Sequence, residues 1–182
     1  VITRPLIDSE DLIGKLFSLG HNIIHVPTLK ISAVKLKPFN HENYDAFIFT
    51  STNAIKFLNV NNLDKKKVCF FVGSATEKKA RSSGFQNVIS ADGNVENLKE
   101  LILRNYNVSS GKLLYVSGDI ITKNLDKELI SLGYNIKRVI NYTSKHLEQI
   151  NIDFIEKLKI KMPEIIYVYS QNSAISLLKI IK

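Results

Sequence analysis

The stretch that most constrains the fold runs from residue 46 to residue 58. It opens with Ala46-Phe47-Ile48-Phe49, four apolar residues in a row, which is typical of a strand buried on both faces. It closes with apolar residues at helical spacing over 54–58. Between them lie Thr50-Ser51-Thr52-Asn53, whose side-chain oxygens can accept the free N–H groups of a helix start. The stretch predicts a strand–turn–helix joint, and open α/β sheets bind ligands, anions in particular, at such joints.

This joint recurs later in the chain. Residues 168–175 repeat its polar turn and apolar helix start at a constant offset of 120 residues. Residues 125–136 repeat residues 12–23, with Gly133 in the place of Gly20, at an offset of 113. The agreement in order and nearly in offset predicts two similar βα halves, each with a helix that ends at a glycine and is followed by a strand.

Strands and helices alternate along the rest of the chain. Apolar runs predict strands at residues 1–3, 22–27, 68–72, 87–91, 113–116, 136–142 and 165–169, with helices between them. This alternation predicts parallel sheet with helices on both faces.

Three local expectations accompany these elements. Asp8 or Ser9 is predicted to cap the first helix. The helix at 153–160 is predicted to turn Ile155 and Leu158 inward, and the basic pair Lys137-Arg138 is predicted to face out from its strand.

Composition limits the partners. The 182 residues carry a formal net charge of +8, which favours an anionic partner such as nucleic acid, anionic lipid, a polycarboxylate or a phosphorylated small molecule. The sequence has none of the standard nucleic-acid-binding motifs and no run of about 18 apolar residues, so neither nucleic acid nor a membrane is expected as a partner. A nucleic-acid-binding α/β domain remains an alternative that rests on charge alone.

The sequence also lacks the usual marks of cofactor chemistry. It has no dinucleotide-binding, phosphate-loop or nucleophile-elbow glycine motif, and its four histidines show no metal-ligand spacing, so we expect no cofactor and no metal. The single cysteine, Cys69, and the absence of a signal-peptide pattern predict a cytoplasmic protein. The predicted strand ends carry hydroxyls instead, which indicates a site that grips and shapes an anion by hydrogen bonds.

Six short motifs follow one another along essentially the whole chain. They are Ile2-Thr3-Arg4-Pro5, residues 44–54, Val72-Gly73-Ser74-Ala75-Thr76 with Ala80-Arg81 and Gly84-Phe85, Ala91-Asp92-Gly93, Leu113-Leu114-Tyr115 with Gly118, and Val139-Ile140-Asn141-Tyr142. In this order the motifs resemble those of the uroporphyrinogen-III synthase family.

The resemblance implies two flavodoxin-like, doubly wound parallel-sheet α/β domains joined by a two-stranded linker. The first domain would be discontinuous, residues 1–29 plus 147–182, and the second, residues 36–140, would be inserted into it. The linker strands would be 30–35 and 141–146. Family members continue through another strand and a last helix, so a C-terminal part is expected to be missing from this chain.

The implied activity is a cofactor-free cyclisation in tetrapyrrole synthesis, catalysed by a cytoplasmic, monomeric lyase. Its substrate, hydroxymethylbilane, is a linear tetrapyrrole with eight carboxylates. Loss of the terminal hydroxyl gives an azafulvene cation, which closes through a spiro intermediate and inverts ring D to give uroporphyrinogen III and water. Such a reaction needs positioning and differential binding more than strong acid–base catalysis.

The resemblance also suggests roles for individual residues. Tyr142 matches the family tyrosine beside the linker and is the predicted proton donor to the departing hydroxyl. The predicted substrate-binding residues are Thr3, Arg4, Thr50, Ser51, Asn53, Ser74, Thr76, Ser117 and Ser170. The alternative is helix capping for Thr50, Ser51, Asn53, Thr76 and Ser170, an exposed strand-end charge for Arg4, and an amphipathic strand tyrosine without a catalytic role for Tyr142. The alternative for the whole chain is a non-catalytic two-domain anion-binding or sensor module.

Overall fold

The structure is a computed structural model that describes residues 1–6, 9–36, 39–147 and 152–180. The chain divides into two compact units. Unit 1 comprises Val1–Ile31 and Ser144–Lys182, and unit 2 comprises Ser32–Thr143.

Helices and strands alternate through the described residues. The helices are α1 (Glu10–Ser18), α2 (Thr52–Lys56), α3 (Ser74–Ser82), α4 (Val95–Asn105), α5 (Leu125–Ser131), α6 (Ile152–Ile160) and α7 (Gln171–Ile180). The strands are β1 (Leu29–Ala33), β2 (Ala46–Phe49), β3 (Val68–Val72), β4 (Val88–Ala91), β5 (Leu113–Gly118) and β6 (Ile136–His146).

The strands form one six-stranded sheet in the order β1-β6-β5-β2-β3-β4. The pairs β2–β3, β2–β5, β3–β4 and β5–β6 are parallel. The mixed α/β fold predicted from the alternating pattern is therefore confirmed. The chain passes between the two units within β1, after Ile31, and within β6, before Ser144.

The centre of the sheet in unit 2 is buried on both faces, as its apolar runs predict. All four residues of β2 have no exposed surface. One face packs against α4 and α5 through a cluster that includes Ile48, Phe70 and Leu98. On the opposite face Phe49 stacks on Phe71 at 5.4 Å between ring centroids. Because this sheet is covered on both sides, its strands end at rigid and well-defined positions.

In unit 1 the predicted strands at 1–3, 22–27 and 165–169 are reduced to isolated parallel bridges. Ile2 bridges to His25 on one side and to Tyr167 on the other. Pro5 follows closely and has no N–H to donate, so the central segment cannot continue the ladder. The apolar run at 165–169 remains 40% to 62% exposed, whereas a fully paired parallel strand would be buried.

Two local expectations in unit 1 are wrong in the part that concerns Ser9 and Ile155. Ser9 stands at the N-cap of α1, but its hydroxyl donates to the Pro5 and Leu6 carbonyls and does not cap the helix. In α6 the inward residue is Phe154, whereas Ile155 is 45% exposed. Asp8 and the Leu158 side chain lie outside the described residues.

Candidate functional site

The parallel strands of unit 2 bring several predicted residues to one edge of the sheet. Phe49 of β2 is level with Val116 of β5, so the residues that follow these two strands are neighbours. Thr50 and Ser51 leave β2 at this edge, Ser117 lies at the end of β5, and Tyr142 lies alongside in β6. Carboxyl ends of parallel strands are where ligands of open α/β sheets bind.

A β-bulge between β5 and β6 sets the position of Tyr142. Ser117 pairs with Ile140 and Gly118 pairs with Tyr142, so Asn141 is an extra residue in β6. A bulge of this kind interrupts the alternation of side chains and re-aims them. Asn141 and Tyr142, although consecutive, therefore both reach toward the chain around α2.

Tyr142 fills the space above Gly118. A Cβ added at Gly118 would lie 2.6 Å from Tyr142 Cε2 and 3.0 Å from its hydroxyl oxygen. The ring also packs beside Phe57, at 6.3 Å between centroids, and only 8% of the residue is exposed. Burial raises the pKa of Tyr142, and hydrogen bonds with the Ser51 side chain and the Gly118 backbone partly offset that effect. Tyr142 is thus a protonated phenol at neutral pH, held in one place.

Asn141 ties β6 to α2. Its Nδ2 donates to the Ala54 carbonyl at 2.7 Å, and the residue is completely buried. A helix leaves its last carbonyls without internal partners, and α2 has five residues, so Asn141 supplies a partner that α2 lacks. The sequence motif contained Asn141, but no pattern assigned it this function.

Thr50 and Tyr115 form a second polar contact at the edge. Thr50 Oγ1 lies 3.2 Å from the Tyr115 hydroxyl. Tyr115 is 1% exposed, and burial raises its pKa, while the hydrogen bond with Thr50 and the charge of Arg138 act in the opposite direction. Tyr115 had been expected only as a strand residue of the family motif.

Arg138 is the residue at this edge that sequence analysis placed wrongly. It does not face out with Lys137. Its Nε donates to Ser117 Oγ at 2.7 Å, and its Nη2 donates to the carbonyls of Gly118 at 2.7 Å and Asp119 at 3.2 Å. Arg138 is one of four arginines among the 25 basic residues of the chain, and that rarity was the one available signal.

Ser117 is the predicted hydroxyl that Arg138 uses. It is 1% exposed, and its Oγ donates to the Gly118 carbonyl at 3.1 Å while accepting from Arg138. Ser117 is therefore placed to hold Arg138 rather than to meet a ligand directly.

Ser51 and Asn53 begin α2 as predicted. Ser51 is the N-cap, and its Oγ accepts from the Asn53 N–H at 3.2 Å. The five-residue helix has a small dipole, so its N-terminus would attract an anion less strongly than the longer helix that the sequence suggested.

Ser74 and Thr76 lie in the first turn of the neighbouring α3. Gly73 stands at the N-cap with φ of 78°, and no side chain caps the helix. Ser74 is exposed, whereas Thr76 is 5% exposed and its N–H donates to the Gly73 carbonyl at 3.1 Å. Backbone donors at this helix start suit an anion.

The remaining predicted residues belong to unit 1. Thr3 is fully buried, and its hydroxyl donates to the Tyr167 carbonyl at 2.8 Å, so it holds two extended segments together. The Arg4 guanidinium lies over the Tyr169 ring at 5.3 Å. Ser170 is exposed and begins α7, where its Oγ accepts from the Ser173 N–H at 3.1 Å.

A cavity of about 710 Å³ in unit 1 does not coincide with any of these positions. Its lining includes Leu16, Ile23, Ile160 and Met162, and it contains none of the predicted ligand residues. Its lining also includes the first residues of the three predicted strands, Val1, Asn22 and Ile165, so it lies toward their amino ends. We therefore assign the candidate site to the hydroxyl-bearing edge of unit 2.

Two further findings bear on the class of protein. Within the residues that the structure describes, no three His, Cys, Asp or Glu side chains gather in a group that could hold a metal ion. None of the helices in the same residues has the length and apolarity that a bilayer crossing requires.

The fold and the site define an α/β protein whose parallel sheet presents hydroxyls, phenols and one guanidinium at its carboxyl edge. The model of the family described as uroporphyrinogen-III synthase HemD matches residues 10–182. The chain belongs to the uroporphyrinogen-III synthase family, whose members are cyclising lyases of tetrapyrrole biosynthesis.

Solved structures of this family share the fold. The uroporphyrinogen-III synthetase of Helicobacter pylori 26695 is 19% identical over 85% of this chain and 70% of its own, with a TM-score of 0.61. A mutant uroporphyrinogen III synthase of the extremely thermophilic bacterium Thermus thermophilus is 14% identical over 98% of this chain and 75% of its own, with a TM-score of 0.60. No curated protein matches the chain significantly.

Proposed function

We propose that the chain converts hydroxymethylbilane into uroporphyrinogen III and water, and that the carboxyl edge of unit 2 carries out the proton transfer. Family membership over residues 10–182 supports the reaction. The observation that supports the site is the buried phenol of Tyr142, which is fixed over Gly118 between Ser51 and Phe57.

In this mechanism Tyr142 protonates the terminal hydroxyl of the substrate, which leaves as water. A protonated phenol is required, and burial keeps Tyr142 in that form. The azafulvene cation then closes through the spiro intermediate that inverts ring D. Because the net reaction releases only water, the proton lost from the substrate on ring closure returns to the Tyr142 phenolate.

The other edge residues bind the carboxylates of the substrate. Thr50, Ser51 and Asn53 offer hydroxyl, backbone and amide donors at the end of β2, and Ser74 and Thr76 lie at the start of α3. Holding a flexible chain in one folded arrangement favours closure with the required regiochemistry, because the uncatalysed reaction gives the type I isomer.

We further infer that the two units are the two α/β domains of the family, joined by strands 30–35 and 141–146. The support is that both passages between the units, after Ile31 and before Ser144, fall inside those strands. Arg4 and Ser170 of unit 1 are retained as proposed carboxylate ligands. Thr3 is not, because its hydroxyl is already bonded in the interior. A cytoplasmic monomer that acts without nucleic acid is part of the proposal.

The test is an assay with freshly generated hydroxymethylbilane in which the two isomers are separated by chromatography. We expect type III product from the wild-type chain. Tyr142→Phe should lower kcat by about 10²-fold or more, as loss of a general acid does, and shift the product toward type I. Tyr134→Phe is the matched control, because that buried hydroxyl bonds to the Tyr106 carbonyl inside the core. Type I alone from a folded wild-type chain would contradict the proposal and favour a non-catalytic anion-binding module.

A further inference from the structure

Arg138 brings a positive charge to the carboxyl edge by an extended route. In the register of the sheet it lies level with Tyr115, yet its guanidinium bonds to the carbonyls of Gly118 and Asp119, three and four residues further along the chain. The side chain therefore runs along the sheet face past Tyr115, whose ring centroid is 6.0 Å from Arg138 Cζ. This conformation places the charge beside Gly118, over which Tyr142 lies.

The contacts of the guanidinium occupy one edge of it. Nε and Nη2, which point the same way, are held by Ser117 Oγ and the Gly118 carbonyl at 2.7 Å each. In the described residues the hydrogen bonds of Arg138 do not involve Nη1, which leaves that end of the planar fork for a ligand. Because these two hydrogen bonds already fix the side chain, Arg138 would lose less conformational entropy when it binds a ligand.

Within the described part of the chain, no ion pair neutralises the charge of Arg138. Its acceptors are a hydroxyl and two backbone carbonyls, and among the described residues no salt bridge includes it. Asp119 lies nearby, and its Oδ1 accepts from the Ile120 N–H at 2.9 Å. A half-buried guanidinium with neutral partners attracts an anion, and carboxylates fit its planar fork.

We propose that Arg138 is a substrate-binding residue whose guanidinium holds one carboxylate of the tetrapyrrole beside Tyr142. The identity of the ligand rests on the proposed function; the position of the charge does not. Ser117 then acts as a positioning residue, because it fixes Arg138 and is itself buried. The same charge also stabilises the phenolate that Tyr142 becomes when it gives up its proton.

The direct test is a fluorescence titration of the purified chain with uroporphyrin III, the stable oxidised form of the product, which keeps all eight carboxylates. Arg138→Gln should weaken binding about 10-fold to 100-fold, the usual effect of removing a hydrogen bond to a charged group. Lys137→Gln, which removes an exposed charge from the preceding position, is the matched control and should change the affinity less than about twofold. Arg138→Lys, which keeps the charge without the fork, should fall between the two.

A structural role alone predicts a different result. Loss of the bonds to Ser117 and Gly118 would then lower the melting temperature and leave the affinity of the folded fraction unchanged. Wild-type affinity in whichever of Arg138→Gln and Arg138→Lys folds would overturn the proposal. For folded variants we also expect KM for hydroxymethylbilane to rise with Arg138→Gln at least as much as the dissociation constant for uroporphyrin III.

The titration needs no turnover, so its outcome is independent of the isomer assay. An inactive wild-type chain that binds uroporphyrin III through Arg138 would remove the proposed reaction and keep the binding role. An active chain whose affinity does not depend on Arg138 would remove the binding role and keep the reaction.

Discussion

The ring of Tyr142 occupies the volume that a side chain at Gly118 would need. A methyl group there would stand 2.6 Å from Cε2 and 2.7 Å from Cζ of the ring, closer than Cβ atoms normally approach other atoms. Gly118 is the residue of β5 that pairs with Tyr142, and its backbone also accepts the Arg138 Nη2 hydrogen bond. Gly118 therefore helps to position both Tyr142, the proposed proton donor, and Arg138, the residue proposed to bind a substrate carboxylate.

Gly118→Ala should displace Tyr142 and reduce turnover. We expect kcat to fall by about 10²-fold, as for loss of a general acid, with a stability cost of about 1–3 kcal/mol for overpacking. Steady-state kinetics and chemical denaturation measure the two effects. Gly14→Ala is the control, because among the described residues no atom outside the backbone of its own helix lies within 4 Å of the added Cβ. Full activity in Gly118→Ala would show that this position of Tyr142 is not required.

The activity should persist to alkaline pH and then fall. Tyr142 donates its proton only while protonated, and burial raises its pKa above the ordinary value of 10.0 despite hydrogen bonds from Ser51 and Gly118. Asp119 adds to the rise, whereas Arg138 opposes it. The pH profile of kcat should therefore show no loss between neutrality and about pH 10 that is due to Tyr142. A loss centred near pH 7 or 8 in the folded enzyme would assign the proton to another group.

The stability of the fold should fall as pH rises above about 9. Burial raises the pKa of the Cys69 thiol above its ordinary value of 9.0, so the unfolded chain loses that proton first. The unfolded state then binds fewer protons than the folded state, and the free energy of unfolding falls by about 1.4 kcal/mol per pH unit for this group. Cys69→Ala should delay the onset until the tyrosines contribute, among them Tyr106, whose pKa burial raises to about 12. Denaturant titrations of the wild type and Cys69→Ala at pH 8, 9 and 10 would measure this loss of stability. If the free energy of unfolding fell with pH at the same rate in both proteins, Cys69 would not be its cause.

Asn141→Leu should destabilise unit 2. The substitution leaves the Ala54 carbonyl without its 2.7 Å donor inside the protein, and an unsatisfied buried group costs about 1–3 kcal/mol. Urea unfolding of the variant measures this cost. Asn105→Leu is the comparison, because its Nδ2 bonds to the Leu101 carbonyl on an exposed helix end and water can replace it. If the free energy of unfolding fell equally in the two variants, the buried hydrogen bond of Asn141 would not contribute the expected stability.

The Thr50–Tyr115 contact should show coupling in a double-mutant cycle. Tyr115→Phe and Thr50→Val each remove one partner of a 3.2 Å hydrogen bond and should each cost about 0.5–1.5 kcal/mol. Together they should cost less than the sum of the single losses, because each leaves the other partner unpaired. Strict additivity in denaturation experiments would mean that the bond contributes nothing.

The central strands could be predicted from the sequence because their apolar pattern is compatible with only one structural environment. Four or five consecutive apolar residues, as in β2 and β3, are stable only where both faces are covered. Gly20 and Gly133 could likewise be predicted to follow helices, because glycine is the usual residue at a helix end that needs a positive φ. Both adopt such a φ, 83° and 90°. These signals are local, and the residues that carry them need no distant partner to be recognised.

Only part of the candidate site could be predicted from the sequence. Thr50, Ser51, Ser117 and Tyr142 were expected at strand ends, and the structure brings all four to one edge. Arg138 was misplaced because strand alternation predicts the direction of the Cβ and not the path of a long side chain. Asn141 and Tyr142 could not be assigned to the same side, because a bulge reverses the alternation without leaving a glycine or proline to mark it.

Because of the bulge, the geometry of the site depends on the number of residues in β6 as well as on their type. Deleting Val139 or Ile140 would restore regular pairing with Tyr142 still level with Gly118, but it would move Asn141 to the level of Ser117 and turn its side chain away from α2, while the strand itself could still form. Selection at this edge must therefore act on spacing as well as on residue type. A chain that kept every polar residue named above and lost one position of β6 would be expected to fold, to keep its phenol over Gly118 and to lose the amide contact that joins β6 to α2.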